Sequence, residues 1–318
     1  MSLIVQGCTR PLDKVRSGKF PEELVFVQSK DQIVDAGAMF TPPKDSIKPI
    51  GVIWIHGWGV NFYQPGYVMV GRALAERGYA TIIGNTRMHD IGNVAGERWG
   101  KRIRGGGYWG VTSEESRDIA AWIDFASDRG FKKVVLVGHS AGWVEVARYE
   151  MDTQDPRVVG LVLASGAVRP DRQQPDSQML AQSIRLVAQG RGDDLLRFPE
   201  QHRKYPSFVS AATYLDIARA PAALKDFFGV RTPNPGVTRV HCPLLGFFAS
   251  KDDVGDEADL ELLRSSVQRH RTGPPRVTTV MIEGGDHMYT GEEAQVAQTI
   301  TSWADGLLKA DSSGSCAG

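Results

Sequence analysis

Gly138-His139-Ser140-Ala141-Gly142 is a Gly-x-Ser-x-Gly pentapeptide that follows the apolar run Val135-Leu136-Val137. A serine hydroxyl becomes a useful nucleophile only in company. It needs a base beside it, a carboxylate to orient the base, and donors for the charge that develops on the attacked oxygen. The same pentapeptide also fits a plain turn between a strand and a helix. The chain offers a candidate for each missing partner, which favours the first reading. A sharp strand-to-helix bend would lift the Ser140 hydroxyl above the sheet edge, and Gly138 and Gly142 stand where side chains would crowd it.

The base should be a histidine, because imidazole takes and returns a proton near neutral pH. His287 in "EGGDHMY" follows the last expected strand on a glycine-loosened loop. His139 adjoins Ser140, so its ring is expected to diverge from the hydroxyl. His56 ends the "WIHG" strand and reads as structural. His89, His202, His241 and His270 have no motif around them.

The acid should follow the strand Pro243–Ala249, where the sequence is "FFASKDDVGD". Asp252 lies closest behind the strand, with Asp253 and Asp256 just after it. Asp171 is a lesser alternative, and Asp286 reads as a residue that orders its own loop. Two backbone N–H groups should receive the oxyanion. One is that of Ala141, at a helix N-terminus. The other is that of Trp58 in "HGWG", a stretch that could equally be a tight turn.

These residues need a frame that brings them to one place. Leu24–Val27 and Ala36–Phe40 suggest a hairpin. Pro49–Ile55 is a β-branched apolar run, Tyr67–Arg77 a one-faced helix, and Tyr79–Ile83 a strand. Asn85–Val111 is a long glycine-rich loop, which in a compact domain is usually functional or mobile. A helix then starts near Thr112, where Thr112 and Glu115 could form a capping box, and stops at Gly130. Lys133–Val137, a helix from Ala141 to Met151, and Val158–Ala164 continue the alternation. It breaks over 169–239, which reads as helical with no strand. It resumes with Pro243–Ala249, Ala258–Gln268, Arg276–Ile282 and a last helix over Glu293–Leu308. Such alternation predicts a mostly parallel sheet covered on both faces.

The 318 residues carry 37 basic and 37 acidic side chains, so no basic field points to nucleic acid and no polybasic run to anionic lipid. Cys8, Cys242 and Cys316 lack metal-ligand spacing, and their sparse, odd number fits a reducing, cytoplasmic setting. No apolar segment approaches the roughly 20 residues of a membrane span. The glycine-rich stretches lack a P-loop lysine and Gly-x-Gly-x-x-Gly spacing, and no His-Glu-x-x-His occurs. No cofactor and no metal are therefore expected.

Taken together, the motifs resemble the α/β-hydrolase superfamily. "HGWG" is similar to its oxyanion loop, "GHSAG" to its nucleophile elbow, "SKDD" to its acid loop and "GGDH" to its histidine loop. The order Ser140, Asp252, His287 is also that of the superfamily, and the resemblance runs from about Leu24 to Leu308. It implies an α/β fold: a mostly parallel central sheet with helices on both faces, and a helical cap inserted after the sixth strand. The core would be 1–168 and 240–310, the cap 169–239, and 311–318 a disordered tail. The acid-loop match implies Asp252 as the acid. Asp256 stands where the superfamily usually has proline, which keeps Asp253 open as the alternative. A serine nucleophile excludes relatives that open epoxides or displace halide through aspartate.

The resemblance implies cleavage of an ester or thioester of a small molecule through an acyl-enzyme. Two rivals remain: an acyltransferase or cyclase using the same residues, and a ligand-binding protein without catalysis. Tyr108, Trp109 and Trp143 flank the site in sequence and are candidate pocket residues. The arginines of the cap and long loop, such as Arg104 and Arg185, read mainly as solvated surface.

Overall fold

The computed structural model describes residues 18–98, 101–166, 175–197 and 208–314. Its centre is an eight-stranded sheet of order β1-β2-β4-β3-β7-β8-β11-β12. The strands are β1 (Glu22–Gln28), β2 (Val34–Phe40), β3 (Ile50–Ile55), β4 (Thr81–Gly84), β7 (Lys133–His139), β8 (Val158–Ala164), β11 (Leu244–Ala249) and β12 (Val277–Ile282). β1 and β2 form the expected hairpin, and β2 joins β4 antiparallel. From β4 to β12 every pairing is parallel.

Parallel strands need crossover helices, and the helices bury both faces. That is why β3 and β11 are apolar and buried along their whole length rather than alternating. On one face, Ile53, Ile55 and Leu136 pack with Trp122 and Ile123 of α2 (Ser116–Asp128), Val146 of α3 (Gly142–Thr153), and Leu260 and Leu263 of α7 (Glu257–Arg269). On the other, Val52, Trp54, Val135 and Val137 meet Tyr67, Val70 and Leu74 of α1 (Pro65–Glu76). Val296, Ile300 and Trp303 of α8 (Glu293–Gly314) complete that layer. Each fully buried large apolar side chain contributes about 1.5–3 kcal/mol, so the two layers hold the sheet as a rigid platform.

Four local expectations change. The long loop contains an antiparallel hairpin, β5 (Asn93–Arg98) with β6 (Lys101–Gly105), whose glycines hid any period-2 pattern. Thr112 and Glu115 form no capping box. Residues Thr112–Glu114 make a 3-10 turn, and Thr112 Oγ1 instead donates to Asp216 at 2.6 Å. The inserted segment is not purely helical: α4 (Ser177–Ala188), α5 (Ala211–Ala218) and α6 (Ala222–Lys225) accompany a pair of three-residue strands, β9 (Leu195–Arg197) and β10 (Phe208–Ser210). Strands that short carry no readable periodicity. The last helix continues to Gly314, into the stretch expected to be a disordered tail.

The inserted segment has its own small core of Met179, Leu186, Leu196, Val209 and Tyr214. Among the described residues, no helix is long and apolar enough to cross a membrane. Cys242 is buried with a free thiol, while Cys8 and Cys316 lie outside the described residues.

Candidate active site

The carboxyl ends of β3, β7, β11 and β12 lie along one edge of the sheet, with β8 between β7 and β11, and each carries one of the predicted motifs. Ser140 follows β7 at φ +55°, a left-handed conformation that a non-glycine residue rarely holds. The bend explains both flanking glycines. A Cβ at Gly138 would lie 2.4 Å from the Gly142 carbonyl oxygen, and one at Gly142 would lie 2.4 Å from the His56 carbonyl oxygen. These are backbone atoms of a packed turn and cannot yield cheaply.

His287 Nε2 lies 2.9 Å from Ser140 Oγ, and its Nδ1 lies 2.9 Å from Asp252 Oδ1. The Asp252 side chain is fully buried, whereas Asp253 is exposed. Burial alone would raise the Asp252 pKa. The bond to His287, its charge, the Ser165 hydroxyl and the Val254 N–H outweigh burial and hold the carboxyl below its ordinary value. Asp252 is therefore the acid that meets His287. Asp256 instead caps α7 through a reciprocal capping box with Asp259. Asp286 accepts from the N–H groups of Met288 and Thr290, so it orders its loop as expected. Asp171 and His202 lie outside the described residues.

The "HGWG" loop passes directly beside the serine. A Cβ at Gly57 would lie 2.8 Å from Ser140 Cβ, so only glycine fits. Trp58 follows it, and Ala141 begins α3 with helical φ −60° and ψ −30°. Gly57, the residue before Trp58, thus lies against Ser140, and Ala141 follows Ser140 in the chain. The loop is latched from below. His56, buried, engages the Gly57 carbonyl through Nδ1 at 2.7 Å and accepts from Thr86 N–H at 3.1 Å. Burial pulls its pKa down to about 4, which keeps the ring neutral for both bonds. Asn85 Oδ1 accepts from Phe62 N–H, and Asn61 donates to Asp90. The sequence carried no signal for Asn85, Thr86 and Asp90 beyond their place at the end of a strand. Below them Arg87 is held by Asp118, Asp31 and Glu114.

The three aromatic candidates make contacts with the core and with the inserted segment. Trp143 is buried in the core, stacked on Phe228 at 5.9 Å between ring centroids and edge-on to Phe227. Its direction on α3 turns it toward the inserted segment's last turns and away from open space. Trp109 and Tyr108 fasten that segment. Trp109 Nε1 donates to the Asp193 carbonyl at 3.0 Å, and the Tyr108 carbonyl accepts from Ser210 N–H at 2.7 Å. Arg104 lies over the Trp109 ring. Trp58, not one of the three, packs against the small core of the inserted segment.

Asp252, Asp253 and His287 also form a group whose possible ligand atoms lie within 4.8 Å of one another. Two of these residues are already engaged in the bridge to Ser140.

The profile of the alpha/beta hydrolase family matches residues 52–299. Among solved structures, Est1E from Butyrivibrio proteoclasticus is similar with a TM-score of 0.60 and 16% identity, over 90% of this chain and 99% of that one. Alpha/beta hydrolase domain-containing protein 10 from mouse is similar with a TM-score of 0.57 and 16% identity, over 90% and 99%. The esterase domain of a Rhodothermus marinus protein gives 0.55 and 15%, over 89% and 98%. No curated protein matches the chain in sequence.

Proposed function

Because this chain belongs to the alpha/beta hydrolase family, we propose that it is a serine hydrolase that cleaves an ester or thioester of a small molecule through an acyl-enzyme. The observation that carries this reading is the single imidazole bridging Ser140 and Asp252 at 2.9 Å on either side.

In this reading Ser140 Oγ attacks the carbonyl carbon while His287 Nε2 takes its proton. The N–H groups of Trp58 and Ala141 hold the oxygen as it becomes negative. Losing one such donor typically costs ~2.7–4 kcal/mol of barrier. The tetrahedral intermediate collapses, His287 returns the proton to the leaving alcohol or thiol, and the acyl group stays on Ser140. Water, deprotonated by His287, then releases the acid and restores the serine. Asp252 remains ionised throughout, fixes the tautomer with Nδ1–H, and stabilises the imidazolium. The depressed pKa of Asp252 fits that role. No cofactor enters the sequence of steps.

A fluorophosphonate probe tests the assignment. Wild type should be labelled and Ser140→Ala should not; equal labelling of both would remove Ser140 as the nucleophile. Product analysis of p-nitrophenyl acetate turnover with a competing alcohol separates hydrolysis from acyl transfer: acetate as the enzyme-dependent product supports hydrolysis, and an enzyme-dependent ester above the uncatalysed background supports transfer.

A further inference from the structure

His139 precedes the serine, and its ring does diverge from the hydroxyl. It is fully buried and makes two bonds. Its Nε2 lies 2.8 Å from the main-chain carbonyl oxygen of His287. A carbonyl can only accept, so Nε2 carries the hydrogen and Nδ1 is the acceptor nitrogen. Tyr67 fills that acceptor, with its hydroxyl 2.7 Å from Nδ1. The hydroxyl in turn accepts from Gly57 N–H at 3.2 Å. The bonds all run one way, from Gly57 N–H to Tyr67 O–H to His139 Nδ1, and on from His139 Nε2–H to the carbonyl of His287.

Each end of this chain is part of the candidate site. Gly57 is the residue whose missing side chain lets the "HGWG" loop lie against Ser140, and Trp58 follows it. His287 is the proposed base. The links come from four separate parts of the chain: the loop after β3, α1, the end of β7, and the loop after β12. The ring lies against His287 at 4.9 Å, Tyr67 and Tyr289 at 5.4 Å, and Trp54 at 6.0 Å between centroids, so aromatic neighbours surround it. Tyr289 donates to Ser165, which pins the His287 loop a second time.

We propose that His139 is a positioning residue: it locks the backbone of His287 so that the imidazole stays aimed at Ser140, and it sets the "HGWG" loop and the base at one fixed separation. This role rests on the serine-hydrolase reading above. A buried neutral imidazole suits it, because one nitrogen donates and the other accepts. Burial keeps His139 neutral by pulling its pKa down to about 3. A protonated ring would lose the bond from Tyr67. Without the Nε2–H the His287 loop keeps its covalent path but loses the hydrogen bond to the base's own main-chain carbonyl, and small misplacements at a reacting centre can cost about 10²-fold in rate.

His139→Phe removes both bonds and roughly keeps the volume, while His139→Gln keeps a donor near the Nε2 position. With p-nitrophenyl acetate, His139→Phe should lower kcat about 10²-fold with KM within about 3-fold, and His139→Gln should recover most of the loss. Thermal melts identify folded variants. The proposal is overturned if folded His139→Phe keeps kcat within about 2-fold of wild type, or if His139→Gln is as slow as His139→Phe. Should His139→Phe not fold, nitrogen NMR of the wild type reads the bond directly. His139 should show the Nε2–H tautomer without titrating between about pH 5 and 9, and the opposite tautomer or a titration in that range overturns it. Ser140→Ala run alongside separates the two readings. Turnover within about 2-fold of wild type there defeats the nucleophile assignment, whereas the tautomer of His139 does not depend on it.

Discussion

Gly57 lies against Ser140 so closely that a methyl group on its Cα would sit 2.8 Å from Ser140 Cβ and 3.3 Å from Oγ. Gly57→Ala must therefore push the serine or the loop aside. The expected result is a folded protein whose kcat on p-nitrophenyl acetate falls by about 10² or more, because attack depends on near-contact geometry. Kinetics paired with circular dichroism melts check this. A kcat within twofold of wild type would mean the loop is not part of the reacting geometry.

Asp252 and Asp253 are neighbours with different surroundings, the first buried on His287 and the second exposed. Asp252→Asn should leave the geometry nearly intact but favour the wrong imidazole tautomer, lowering kcat by roughly 10³–10⁴. Asp253→Asn should change it little. The two kcat values, measured side by side, decide the assignment; the reverse order would give the role to Asp253.

Glu115 and Glu145 are buried together beneath the "HGWG" loop, where Thr86 Oγ1 donates to Glu115 at 2.9 Å. Burial pushes Glu145 up to about 8, and burial with the neighbouring Glu145 holds Glu115 well above its ordinary value. For carboxyls raised on folding, the folded state binds protons more tightly than the unfolded chain. Their contribution is complete below the ordinary value of 4.5 and is lost as pH rises through about 8. Glu145→Gln puts a side chain that is neutral at every pH in that place. Its melting temperature should exceed that of wild type by about 2 °C or more at pH 8, with little difference at pH 5. Scanning calorimetry across this range would contradict the account if the two curves ran parallel.

Thr112 Oγ1 and Ser113 N–H both bond Asp216 Oδ2, tying the start of α2 to α5 of the inserted segment. Asp216→Ala should cost about 1 kcal/mol in holding that segment down, or roughly 5-fold in the population of its open form. Limited proteolysis should then cut within 169–239 several-fold faster while the sheet domain stays intact. Unchanged cleavage would show that other contacts suffice.

The layered sheet, its strand order along the chain and the residue types at the site were legible in the sequence because they are local. A fully buried parallel strand must be apolar along its length, and an elbow around Ser140 must have glycines where a Cβ would strike backbone. Those requirements act within five to ten residues, so they show as motifs. Weaker local signals were lost: β9 and β10 have three residues each, and glycines interrupt the hairpin β5–β6.

Only the tertiary structure decided which side chains meet. Ser140 and His287 are 147 residues apart and Asp252 and His287 are 35 apart, and whether they touch depends on how parallel strands register and where each loop turns. The same holds for Asp252 over Asp253, where a shift of one residue separates burial on an imidazole from exposure to water. It holds also for Trp143, a pocket candidate by sequence, whose contacts with Phe227 and Phe228 only packing could show. Residue type and spacing fixed what chemistry was available at the end of each strand. The direction of each side chain, and the bond from His139 to the carbonyl of His287, had to wait for the strands to be laid side by side, because direction is set by packing against neighbours far away in the chain.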